Sequence, residues 1–538
     1  MKRRSFLKTV PLGVAATAVP FMLGTKRAEA LMHSPLLDSM SNTTRQDDHV
    51  LVIIFLEGGN DGLNTVIPFE DPLYDEHRKH LGFTTVQEKA RLTFKLRGDL
   101  SMNPFTSALE PLWQEGKMAI VQNVGIENPD LSHFRGLDIW NSASDPDLLV
   151  PTGWAGRYLE TLYPNYPAIL PEDPVAINMG ALGSQIFRGS NSMMDIQVHD
   201  PRTFSAAGNT SIEPVPQTQG GTELAYVRSL VNIANVYSAR FHSLFPEKAV
   251  SNVTYPDTPF AQDLQRIAWC VNAGLKTKIY FASLQGFDTH FCQLSKDDSS
   301  GAGHAFLLRT FSEAVYAFQR DLEALGNADR VVTMTYSEFG RRVGEIGDYS
   351  SGTDHGAAAP HFIIGAKVNG ELYGRHPDLG NLDKNGDLVN EFEFRRLYAA
   401  VLADWFGVGE TLRQSLLTPG RPHDPFDISF PINGSAKNSH LIRSLYPENE
   451  NAGAPRLMLY PNPAAIQTTL YLAPPMTSSV VDIAIFDVRG RQVATQQAPI
   501  SQGNEWVTLD VQNLPNGSYF LRIRSETISQ SLKLIVSH

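Results

Sequence analysis

At 538 residues the chain is too long for one ordinary core and divides into two or more domains. Hydrophobic residues make up 42% and charged residues 19%, a globular composition that excludes a fibrous or disordered chain. The 45 Lys and Arg against 57 Asp and Glu leave a formal charge of -12 with no basic block, which argues against a nucleic-acid partner. No internal apolar run approaches the roughly 20 residues of a membrane span. Only two cysteines are present, Cys270 and Cys292, too few for a disulfide scaffold or a multi-cysteine metal module. They read either as a pair closed in an oxidising compartment or as two buried, unbridged thiols.

Residues 1–30 have the layout of an export signal. Lys2, Arg3 and Arg4 give a positive start, Val10 to Met22 is apolar, and Ala28-Glu29-Ala30 offers a cleavage site before Leu31. The string RRSFLK resembles the twin-arginine signal, which implies the twin-arginine export machinery; an ordinary secretory signal with a basic start is the plainer reading. Under either, the mature chain leaves the cytoplasm for the periplasm.

Residues 48–440 alternate two patterns. HVLVIIFLEGG, KMAIVQNVG, KIYFASLQG, RVVTMTYSEFG and HFIIG are short apolar runs rich in β-branched residues and stopped by glycine, so they predict buried strands. ELAYVRSLVNIANVYSARFHSLF, AQDLQRIAWCVNAGL, HAFLLRTFSEAVYAFQRDLEALG and RRLYAAVLADWFG carry the helical period. Together they predict an α/β domain with a mostly parallel sheet covered by helices on both faces. Ligands of such sheets lie beyond the carboxyl ends of the strands.

The residues at those ends are of one kind. Gly58, Gly59, Asn60 and Asp61 follow the first strand. Ser132, His133 and Arg135 open a helix after the second. Asp288 and His290 follow the third, and Ser337, Glu338 and Arg341 the fourth, while Thr353, Asp354 and His355 precede the fifth. Acids and imidazoles gathered at one edge repel one another unless a cation lies among them. Carboxylates mixed with imidazoles suit zinc, manganese or iron, and a carboxylate-only subset suits magnesium or calcium. A serine at a helix start beside such a metal is a candidate nucleophile, and Arg135 with the helix N-terminus a candidate anion seat. Each piece also has a plain reading: GGND as a tight turn whose Asp61 caps a helix, Ser132 as an N-cap, and FDTH as a loop.

Other motifs fail. DKNGD at Asp383 to Asp387 begins like a calcium loop but puts Phe394 where a bidentate Glu is needed. EGGNDG lacks the spacing of a nucleotide fingerprint, and no G-x-S-x-G elbow occurs.

Residues 441–456 read as a linker and 457–538 as a small all-β sandwich of short strands. Within the latter, LYPNP, FDVRGR, LPNGSYFLRI and LKLIVS resemble, in order, the C-terminal sorting domain of the type IX secretion system. The resemblance implies handling by the type IX secretion machinery and a final place on the outer-membrane surface or outside the cell.

FLEGGNDGLNTVIP, LSHFRGLDIW, TGWAGRYL, GFDTH, SEFGRRV and GTDHGAAAPHFIIG are similar to the exported bacterial "domain of unknown function 1501" family, grouped with the alkaline phosphatase and sulfatase superfamily. This likeness implies an alkaline phosphatase-like fold. Laid over this chain, the superfamily's pattern implies Asp61, Asp288, His290, Glu338 and His355 as ligands of a divalent metal, with Asp354 or His304 completing a second site. It also implies Ser132 as nucleophile, and Arg135 with Asn60 as contacts for an anionic ester. Phe339 stands where the pattern has a ligating His, and His361 is a weaker alternative ligand. The implied function is a metal-dependent hydrolase of phosphate or sulfate esters, the metal being zinc, manganese, calcium or magnesium. The alternative is a non-catalytic secreted or surface binding protein that retains the fold.

Overall fold

The computed structural model describes residues 48–419 except 97–98, 128, 181–184, 206–214, 217, 246, 248 and 347–351. It also describes residues 22–23, 26–27 and most of 456–536. The export signal of residues 1–30 and the linker of residues 441–456 lie almost wholly outside the described residues. The chain divides into two compact units, Met1–Leu441 and Ile442–His538.

The first unit is built on β1 (Val50–Glu57), β2 (Met118–Gly125), β3 (Ala176–Asn178), β4 (Asp195–Gln197), β5 (Ile279–Gln285), β6 (Val331–Tyr336), β7 (Gly340–Glu345), β8 (Thr353–Gly356), β9 (Ala358–Ile364), β10 (Leu372–Tyr373) and β11 (Phe392–Glu393). All but β7 and β8 form a nine-stranded sheet in the order β10-β2-β9-β6-β1-β5-β3-β4, with β11 also paired to β2. β6, β1, β5, β3 and β4 run parallel, and only β9 is antiparallel to its two neighbours. β7 and β8 make a separate antiparallel pair. The five strands expected from the sequence are all present. The reversal of β9 was not legible, because an apolar run has no direction.

β1, β2, β6 and β9 are buried over nearly their whole length. A strand covered on both faces is apolar at most positions, which is why these read as near-continuous runs rather than alternating ones. The covering helices include α1 (His133–Ser142), α2 (Trp154–Leu162), α3 (Gln219–Leu244), α4 (Pro259–Asn272), α5 (Gly303–Ala324) and α6 (Arg395–Ala400). α4 starts at a Thr258 cap with Pro259 in its first position, where a missing N–H costs nothing. Among the described residues, no helix is long and apolar enough to cross a membrane. The cysteines form no disulfide: Cys270 is buried, whereas Cys292 is exposed, contrary to the reading of two buried thiols.

In the second unit one sheet holds Arg456–Tyr460, Gln467–Ala473 and Trp506–Asp510, and another holds Ser479–Asp487, Gln492–Ile500, Gly517–Arg524 and Ser529–Val536. Leu470, Val507 and Leu509 of the first sheet share a core with Val481, Ile483, Leu521 and Leu534 of the second. This is a small β-sandwich.

Candidate functional site

β1, β2, β5 and β6 end on one edge of the sheet, and antiparallel β9 begins there, with Ala358 opposite Gly125. The turn after β1 needs glycine. Gly58 and Gly59 have φ of +119° and +91°, and a Cβ at Gly58 would lie 2.2 Å from the Asp288 backbone nitrogen. The loops after β1 and β5 therefore touch backbone to backbone.

Arg341, fully buried at the start of β7, ties these loops together. Its Nε donates to the Gly59 carbonyl at 2.9 Å, Nη1 to Thr353 O at 2.9 Å, and Nη2 to Phe287 O at 2.9 Å and Asp288 Oδ1 at 2.7 Å. Burial alone pushes the Asp288 carboxyl up, but Arg341 and the neighbouring His355 outweigh it and hold the group down at about 2.

Around Asp288 stand three imidazoles. His355 Nε2 is 3.2 Å and His290 Nε2 3.1 Å from Asp288 Oδ1, and the two ring nitrogens are 3.0 Å from each other. His133 Nε2 is 3.4 Å from Asp288 Oδ2. Asp354 Oδ1 lies 3.7 Å from His290 Nδ1 and accepts the His355 backbone N–H at 2.9 Å. Burial and the nearby Arg341 charge lower the His290 pKa, whereas the Glu338 hydrogen bond raises that of His133. Two sets, His133-Asp288-His355 and His290-Asp354-His355, each offer three ligand atoms within 4.8 Å of one another. Imidazole mixed with carboxylate is the donor chemistry of a borderline divalent cation, so these residues fit one.

The other sequence-derived candidates are placed differently. Glu338 is buried and meets the cluster through His133: its Oε1 is 2.9 Å from His133 Nδ1 and accepts the Gly58 N–H at 3.0 Å. Phe339 packs under the cluster, its ring centroid 4.2 Å from that of His355 and 4.9 Å from that of His133. Asp61 is fully buried and paired with Arg78, whose Nη1 reaches Oδ2 at 2.5 Å and Nη2 reaches Oδ1 at 2.9 Å. Gln293 Nε2 also donates to Asp61. Burial pushes the Asp61 carboxyl up, but the Arg78 charge wins and its pKa is lowered. Asn60 Oδ1 is 3.0 Å from Nε2 of buried His304, next to Asp61. Arg135 pairs with Asp138 and donates to the carbonyls of Asp145, Pro146 and Leu148, which pins that loop. His361 is buried, and burial lowers its pKa to about 3.

Ser132 is exposed at the N-terminus of α1 and makes no side-chain capping bond. Its neighbours on both sides belong to the cluster: Leu131 O is 2.8 Å from His355 Nδ1, and His133 follows it. The sequence named His133 in this run but gave it no role. Arg78 carries no sequence signal linking it to Asp61.

Residues 273–405 match the family described as "Protein of unknown function (DUF1501)", and residues 458–537 match the "Secretion system C-terminal sorting domain". The sorting domain marks the chain as exported through type IX secretion, to the cell surface or beyond it. No curated protein matches the chain. Similar solved structures include a protein in the alkaline phosphatase superfamily from Vibrio parahaemolyticus, at 10% identity over 88% of this chain and 86% of that one, with a TM-score of 0.34. The PsFucS1 sulfatase from Pseudoalteromonas sp. is similar at 9% identity over 90% and 88%, with a TM-score of 0.32. Dimeric latent PorU from Porphyromonas gingivalis is similar at 22% identity over 15% of this chain and 9% of that one, with a TM-score of 0.14.

Proposed function

We propose that this exported protein is a metal-dependent hydrolase of phosphate or sulfate esters. The observation that supports this reading most is the meeting of three imidazoles and the Asp288 carboxylate at the carboxyl end of the sheet, beside an uncommitted serine at a helix start. The cluster around Asp288 and His355 supplies donors for a divalent cation. When bound, the cation supplies charge to offset that developing on the ester oxygens in the transition state.

Ser132 Oγ attacks phosphorus or sulfur as the bond to the leaving-group oxygen breaks, and the serine's proton passes to that oxygen, which departs as the alcohol. Water then cleaves the serine ester, releasing the acid and restoring the hydroxyl. The first backbone N–H groups of α1 receive the anion. Arg135 sits in the same first turn, but its guanidinium is committed to Asp138 and three carbonyls, so the helix end carries the anion contact.

The non-catalytic binding-protein reading draws on that commitment of Arg135 and on the Arg78-Asp61 pair, which together take two groups away from substrate and metal. Metal analysis of the exported full chain, with turnover of p-nitrophenyl phosphate and sulfate, separates the two. Hydrolysis predicts near-stoichiometric metal that Asp288→Ala loses, and turnover that Ser132→Ala abolishes. Wild-type turnover in both variants sinks the assignment, and a wild type without metal or turnover favours the binding protein.

A further inference from the structure

We infer, resting on the metal-dependent reading above, that His133 is itself a ligand of the cation and that Glu338 positions it. The ion then sits on His133, Asp288 and His355, with a fourth position open to substrate. Glu338 has little left to give a metal directly. Oε1 faces His133 Nδ1 at 2.9 Å and Gly58 N at 3.0 Å, and Oε2 faces Gly58 N at 3.2 Å and Ser337 Oγ at 3.4 Å. A carboxylate only accepts, so the Glu338 bond keeps a proton on His133 Nδ1 and leaves Nε2 as the nitrogen that a neutral ring offers to the ion. His355 is fixed the same way, since Nδ1 faces the Leu131 carbonyl at 2.8 Å.

Both Nε2 atoms face Asp288, at 3.4 Å to Oδ2 and 3.2 Å to Oδ1. On neutral rings these nitrogens aim lone pairs at an ionised carboxylate, a repulsion that a cation between them removes. Metal–nitrogen distances of about 2.0–2.1 Å place tetrahedral donors roughly 3.4 Å apart, and each Nε2 lies near that distance from one Asp288 oxygen. A ligand imidazole whose other nitrogen donates to a buried carboxylate is the usual outer-shell support of such sites. Phe339 packs against both rings and holds their planes, a use for the residue that cannot ligate.

The competing set of His290, Asp354 and His355 lacks this support. His290 Nδ1 is 3.7 Å from Asp354, beyond hydrogen-bond reach, and Asp354 is already engaged by the His355 N–H. With two imidazoles and one carboxylate, the preferred ion is zinc-like rather than magnesium or calcium.

The test is zinc titration of the metal-stripped full chain by calorimetry, with X-ray absorption counting imidazoles on the zinc-loaded protein and circular dichroism confirming the fold. The expected wild-type count is two imidazoles, falling to one in His133→Ala with much weaker binding. Glu338→Gln keeps the ligand but weakens zinc roughly 10- to 100-fold. Asp354→Asn weakens zinc less than His133→Ala does. Wild-type affinity in both His133→Ala and Glu338→Gln overturns the inference, as does loss of zinc in Asp354→Asn but not in His133→Ala. If His133→Ala does not fold, Glu338→Gln and the imidazole count decide. A wild type that binds no zinc or manganese overturns the metal-dependent reading along with it, whereas failure of the inference alone shows only in the variants.

Discussion

Two polar clusters lie at the same sheet edge, assembled from the same residue types, and the fold treats them in opposite ways. Around Asp61, every charge is answered from within: Arg78 and Gln293 bind the carboxylate, and His304 is buried next to it as a neutral ring. Around Asp288, one carboxylate oxygen is tied to Arg341 while three imidazoles face the same group, with the Asp288 side chain 47% exposed. A closed ion pair stabilises one geometry and leaves no coordination site. An open cluster tolerates internal repulsion and is available to a ligand. The proposed function is therefore placed on the open cluster, although the resemblance gives Asp61 and Asp288 the same role.

The sharpest way to break this contrast is Arg78→Met. Arg78 and Asp61 are both fully buried, so the variant strands a carboxylate away from water and should cost about 3–5 kcal/mol in urea unfolding. Arg78→Met combined with Asp61→Asn should recover most of that loss. If Arg78→Met alone is mild, Asp61 has another source of positive charge, and the closed cluster is not closed.

The next effect is one of pH. Burial lowers the His304 pKa from 6.5 to about 4. Between these values the unfolded chain binds a proton that the folded chain does not, so stability is whole above about pH 6.5 and falls as pH drops through that window to about 4. Two and a half units correspond to at most roughly 3.4 kcal/mol. His304→Gln should flatten this part of a pH series of unfolding curves. An unchanged slope would place the titration elsewhere, with buried His361 the next candidate.

How far the sequence exposes this contrast depends on what periodicity carries. Continuous apolar runs mark β1, β2, β5, β6 and β9, and glycine stops mark their ends, so the sequence alone puts Asp288, His290, Asp354 and His355 at one edge. Pairing between distant loops leaves no such mark. Arg78 lies 17 residues past Asp61, after a short helix, and nothing in its neighbourhood distinguishes it from a surface arginine. His133 reads as the second residue of a helix opening, and only the return of Glu338 against its Nδ1 gives it a task. Arg135 shows the converse: its position suggested an anion seat, but the loop at Asp145 to Leu148 folds back and offers it carbonyls.

The smallest expected effect concerns Ser132. An N-cap serine that bonds the first turn loses about 0.5–2 kcal/mol on replacement by alanine. Ser132 stands at the N-cap position of α1 with extended backbone angles, yet its hydroxyl makes no capping bond, and it is exposed. The Ser132 N–H is instead held at 2.9 Å by Asp130, so the turn into α1 is fixed without the hydroxyl. Ser132→Ala should therefore leave urea unfolding within about 0.5 kcal/mol of wild type, the range of surface changes away from structural features. If the same variant also abolishes ester turnover, the hydroxyl belongs to the open cluster and not to the helix. A loss near 1 kcal/mol with turnover intact would instead make it a cap, and the nucleophile would have to be sought among the imidazoles beside it.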